Sequence, residues 1–156
     1  MDPNEPDDAI RNALGLNSLI LDSSRDCIVI LDLEGHTQFV SRGGVEAMEI
    51  DDVRAIIGLS WLRVWEGEDH RAAVAALAEA RAGRTARFQA YCPTHKGTPK
   101  WWDMAISPLP GADGRPERLA SIGRDITDMK RAAQRLAASE AQFRTFAQAM
   151  PNHVWT

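Results

Sequence analysis

The chain predicts an α+β domain, an antiparallel sheet with helices gathered on one face, followed by a long helix. Two observations carry this. Two strand-like runs near the start and three consecutive ones later enclose a stretch with helical spacing. After Arg124-Asp125-Ile126-Thr127 the period changes: apolar residues recur at Ile126, Met129, Ala133, Leu136, Phe143, Ala147 and Met150, with only Glu140 breaking the alternation of three and four.

Composition narrows the class. With 156 residues, 44% of them apolar, the chain suits one domain with extensions. The aliphatic run Ile28 to Leu31 is far too short to span a bilayer and no basic-then-apolar leader precedes it, so a soluble cytoplasmic domain is expected. A net charge of -4 gives nucleic acid no broad electrostatic reason to bind. Cys27 and Cys92 form no CxxC pattern and read as reduced structural thiols.

The elements follow in order. Residues 1–9, rich in Pro and acid, read as a disordered lead-in. Residues 10–24 read as an amphipathic helix carrying Ile10, Leu14, Ile20 and Leu21, interrupted at Gly15. Cys27-Ile28-Val29-Ile30-Leu31 is a continuous run suited to a central strand buried on both faces. Asp32-Leu33-Glu34-Gly35 turns the chain into a second strand, Thr37 to Ser41, which Gly43-Gly44 ends. From Val45 to Trp65 short helical pieces alternate with breaks, and Leu59, Trp61 and Trp65 are expected to pack inward. Asp69 is placed to cap a helix from His70 to Arg81, with Gly83 as its stop and a core face of His70, Val74 and Leu77. Three strands come next: Thr85 to Tyr91, Trp101 to Leu109 and Arg118 to Ile122, joined by Pro- and Gly-rich turns. Thr127 is expected to cap the final helix, with Asp128 in its first turn. Ser139 and Gln142 match a capping box that would start a separate helix, but the spacing runs through Ser139 unchanged, which favours one helix over residues 127–150.

Sites of chemistry are sparse. No nucleophile elbow, phosphate-binding loop or zinc-hydrolase pair occurs, so no catalytic residue is expected. Glu66, Glu68 and Asp69 beside His70 read as acids favouring a helix N-terminus rather than as a metal site. His36 and His95 lie in turns, so no metal is expected. The candidate pocket comprises Trp61, Trp65, Val74, Leu77, Phe88, Trp102, Met104, Ile106 and Ile122; filling a core is the simpler role for its rings, contact with a planar ligand the alternative. Trp101 and Trp102 must face opposite sides of a strand, and Trp102 is in phase with Met104 and Ile106.

The pieces Asp32-Leu33-Glu34-Gly35, Lys100-Trp101-Trp102-Asp103, Ser107-Pro108 and Gly123-Arg124-Asp125-Ile126-Thr127-Asp128-Met129-Lys130 resemble a PAS domain, the last being similar to the signature at the end of its sheet. The resemblance covers about Ser18 to Arg131, with a core over residues 25–126. It implies five antiparallel strands in the order 2-1-5-4-3, helices over one face and a pocket between. Residues from Ser139 onward resemble the opening of a second, truncated PAS domain, its start at residues 151–156, as in the N-terminal sensor region of a bacterial sensor histidine kinase. PAS domains bind flavin, haem, small organic molecules or other proteins. The segment after the second strand, Ser41-Arg42-Gly43-Gly44-Val45-Glu46, lacks the flavin-photochemical Asn-Cys-Arg-Phe-Leu, so flavin is not expected. His70 stands where haem-binding members place an iron ligand, which makes a haem gas or redox sensor one alternative and a purely structural dimerisation spacer another. The expected function is a non-enzymatic sensory and dimerisation module with no cofactor. It would act as a homodimer, compatible with a small-molecule ligand, and signal through Asp125, Thr127, Met129, Leu136 and Phe143 to downstream PAS and kinase domains.

Overall fold

The computed structural model describes residues 25–149; the expectations placed on residues 1–24 and 150–156 lie outside it. The chain divides after Asp125 into a sheet unit and a helical unit.

In the sheet unit β1 (Cys27–Leu31), β2 (Thr37–Val40), β3 (Ala86–Tyr91), β4 (Trp101–Pro110) and β5 (Pro116–Asp125) form one antiparallel sheet in the order β2-β1-β5-β4-β3. The β-branched run of β1 lies between β2 and β5 and is buried on both faces, as such a run requires. Val29 and Leu31 join the main core, while Ile30 packs with Phe39 and Ala120 on the opposite face. The first hairpin is held by Asp32, whose carboxylate accepts from the Glu34 and His36 amides at 3.0 and 2.8 Å, with Gly35 at φ +88°.

The second strand ends at Val40, and Gly43-Gly44, expected to end it, lies inside a short helix that follows, α1 (Arg42–Ala47). Both glycines are buried there, and a Cβ on Gly44 would sit 2.9 Å from Cys27 Sγ and Val40 Cγ1. Ser41 closes β2 and starts α1: its buried hydroxyl accepts from Gly44 N (3.1 Å) and Ile28 N (3.0 Å). Two single helical turns follow, Val53–Ala55 and Trp61–Val64.

The second helix, α2, spans Gly67–Arg81, so it begins three residues before the expected start. Asp69 falls in its first turn rather than at its cap, and its carboxylate accepts from the Tyr91 amide at 3.2 Å. Gly83 at φ +92° ends it, with Gly83 and Arg84 donating back to Ala80 and Glu79 carbonyls. The face turned to the sheet is Ala73, Ala76, Leu77 and Ala80. This corrects the expected face: Leu77 belongs to it, but Val74 is 41% exposed and His70 is exposed too.

The helical unit contains α3, an unbroken helix from Thr127 to Ala149 that runs through Ser139. Thr127 is its first residue rather than the one before it. No described helix is long and apolar enough to cross a membrane.

Candidate ligand cavity

Between the inner face of the sheet and the segment from Met48 to Trp65 lies a cavity of about 410 Å³. Its origin can be read from β5. Inward-facing positions on a central strand usually carry bulky side chains, but here Leu119 is followed by Ser121 and Gly123. Small groups at the last two positions leave space under the helices, and a Cβ on Gly123 would come within 2.9 Å of Met104 Sδ.

Trp61, Trp65 and Trp102 line the cavity with Met104, and all four are buried. Trp61 and Trp65 meet edge to face with centroids 5.5 Å apart, and Phe88 backs them at 6.4 and 5.6 Å. Trp102 is fixed by its indole N–H, which donates to the Cys92 carbonyl at 3.0 Å. The other expected pocket residues lie elsewhere. Phe88 supports the rings without lining the cavity, Ile106 is core, and Leu77 packs against the turn at Gly35. Val74 faces outward on α2, and Ile122 is 39% exposed on the opposite face of the sheet, because alternation along β5 turns Ser121 and Gly123 inward. His70 is not among the lining residues, so the haem alternative loses the ligand on which it rested.

Sequence reasoning missed Cys27, Thr37, Arg63, His95 and Ser121, all of which line the cavity. Burial pushes the Cys27 thiol up to about 12, aided by Cys92 and Asp26, and burial likewise raises Cys92 to about 11. Both sulfurs are therefore neutral thiols, soft apolar lining rather than nucleophiles. The mouth is held by the β3–β4 hairpin: His95 N donates to the Met48 carbonyl at 3.0 Å and the Thr94 hydroxyl to the Glu49 carboxylate at 3.0 Å. Hydrogen bonds from Thr98 and Thr94 hold that carboxyl below the usual range.

Two buried polar atoms of the lining residues are orphaned. Ser121 Oγ and Trp65 Nε1 find no hydrogen-bond partner among the described residues. Among the described residues no carboxylate lines the cavity, and Arg63 and His95 are its only basic groups. Among the described residues the one cluster with metal-ligand spacing, Asp32, Glu34 and His36, lies in the first hairpin turn, where the hydrogen bonds of that turn already engage Asp32.

At the exit of the sheet Trp102 pairs in register with Asp125. Lys100 Nζ lies 5.9 Å over the Trp102 ring and 3.1 Å from Asp125 Oδ2. A ring of the cavity wall and the last residue of β5 are thus held by one ammonium group.

An antiparallel sheet in this order, capped on one face by helices that enclose a small apolar cavity, defines a sensor-type domain. The PAS fold family model matches residues 21–131, and the chain belongs to that family. Among solved structures it is similar to an RNA-binding light-oxygen-voltage receptor (TM-score 0.65, 14% identity), covering 90% of this chain but only 38% of that one. It is also similar to the PAS domain of a protein from Colwellia psychrerythraea (TM-score 0.62, 19% identity, 71% of this chain and 94% of that one). A domain of a sensory box sensor histidine kinase/response regulator from Geobacter sulfurreducens gives TM-score 0.58 and 24% identity, over 78% of this chain and 99% of that one. At these identities the likeness is one of fold. No curated protein matches the chain.

Proposed function

We propose that the chain is a cytoplasmic sensory and dimerisation module: a small molecule enters the cavity, and the change it makes is passed through α3 to a downstream histidine kinase. The observation that carries this reading is the apolar row on α3. Met129, Leu136 and Phe143 recur at seven-residue intervals and are 68%, 62% and 67% exposed. Large apolar side chains at heptad spacing match the seam of a coiled coil, and the same face of a second copy is its natural cover. The sheet unit supplies the input side. A ligand pressing on Trp102 would shift Lys100 and with it Asp125, the last residue before the junction with α3.

Insertions into the full-length parent test this. One residue added after Arg131 rotates everything downstream by about 100°, since a helix has 3.6 residues per turn, and seven restore the phase. Kinase output should change with the first insertion and be largely retained with the second. Equal output from both would make α3 a passive tether and defeat the reading.

A further inference from the structure

We infer that the cavity's ligand is a small organic anion, an apolar or aromatic body carrying one carboxylate-like group. The inference rests on the reading of the cavity as a ligand site and adds its chemistry. Three observations carry it.

The first is the body of the cavity. Tryptophan rings, two methionines and aliphatic side chains form its wall, and the two thiols facing it are uncharged, so nothing there would balance a buried charge on the ligand. The volume, about 410 Å³, falls in the range of small-molecule sites. The second is the pair of orphaned polar atoms. Trp65 is 5% exposed and Ser121 fully buried, yet the indole N–H has no acceptor and the hydroxyl no partner among the described residues. An indole N–H can only donate, so what satisfies it must carry an acceptor.

The third is the sign of the mouth. Arg63 is exposed and lines the cavity, its guanidinium makes no ion pair or hydrogen bond among the described residues, and no carboxylate of those residues shares that lining. Glu66 and Asp69 border a neighbouring recess on the outer side, together with Arg63 and His95. Asp69 already accepts from the Tyr91 amide, and neither acid lies within ion-pair distance of Arg63 among the described residues. A guanidinium beside an apolar cavity, with His95 adjacent, recognises the anionic end of a ligand whose remainder is buried, and it strongly prefers planar oxyanions. A cationic ligand in the cavity would meet Arg63 with no acid among the described lining residues to compensate.

Three probes of one shape decide the matter: 1-naphthylacetate, 1-naphthylacetamide and 2-(1-naphthyl)ethylamine, titrated calorimetrically into the whole chain. The anion should bind about tenfold or more tighter than the amide, a difference of about 1.4 kcal/mol, and the amine weakest of all. Arg63→Gln should abolish the preference for the anion while leaving the amide's affinity within about twofold. Trp65→Phe, which keeps an aromatic ring but removes the N–H, should weaken anion and amide alike. Equal binding of anion and amide, or an unchanged preference in Arg63→Gln, would overturn the inference and leave the ligand site standing. Failure of all three probes to bind at millimolar concentration would overturn both.

Discussion

Helices α2 and α3 are both amphipathic in sequence, but they use their apolar residues in opposite ways. On α2 the buried face is nearly all alanine, Ala73, Ala76 and Ala80 with Leu77, and on α3 the apolar row consists of Met129, Leu136 and Phe143, all exposed. Small side chains let a helix lie close to a sheet and lock into it with little volume to spare. Large side chains in contact with water carry a hydrophobic driving force of about 25 cal/mol per Å² that only an added surface can realise. The difference teaches that similar sequence periods can serve opposite ends: the apolar face of α2 is buried against the sheet, whereas the apolar row of α3 lies exposed on a single copy.

That contrast can be broken at its strongest point first. Trp102→Ala removes a buried ring whose N–H is already satisfied by Cys92, and it should destabilise the sheet unit by about 3 to 5 kcal/mol in denaturant titration. An unchanged midpoint would mean that the cavity wall contributes nothing to the fold. Ala76→Leu tests the close approach of α2, where overpacking should cost about 1 to 3 kcal/mol.

The thiols probe how closed the cavity side is, and the sign follows from their shift. Burial raises both folded values above the ordinary thiol value of 9.0, to about 12 and about 11, so folded and unfolded chains are equally protonated below about pH 8 and stability there is insensitive to these groups. As pH rises past 9.0 the unfolded chain loses its protons first, and the contribution falls away until the folded values are reached. The melting temperature should therefore decline above pH 9.0, and a Cys27→Ser, Cys92→Ser double variant should lose that part of the decline. At pH 8 an aromatic disulfide reagent should label neither thiol in the native chain and both in denaturant. The smallest effect is expected at Val74→Leu on the outward face of α2, within about 0.5 kcal/mol of the parent, although sequence spacing placed Val74 in the core.

The misplacement of Val74 shows what sequence could and could not reveal. The strands, their order and the long helix were legible because each rests on a local period or on the resemblance of the Gly123 to Lys130 signature. The wheel for α2 went wrong because it was weighted by bulk, while the sheet is approached by alanines whose apolar signal is weak. Gly43-Gly44 read as a break because nothing in the pair itself shows that Cys27 of β1 and Val40 of β2 press against Gly44. Ile122 was taken for an inward residue on hydrophobicity alone, and Ser121, its polar neighbour, proved to face the cavity. A cavity is the inverse of a core: small and polar inward residues such as Ser121, Gly123 and Thr37 mark it, and a search for the most apolar positions passes over them. Arg63 and His95 come to its mouth only through the fold of the 48–65 segment and the β3–β4 hairpin, contacts that no spacing encodes.

The central claim is that the exposed row of α3 is covered by a second copy, and the mass in solution tests it most directly. Multi-angle light scattering at tens of micromolar should give twice the chain mass for the parent and the single-chain mass for Leu136→Glu, with the sheet unit of both melting as a folded domain. A parent that runs at the single-chain mass, or a Leu136→Glu variant that remains dimeric, would contradict the account.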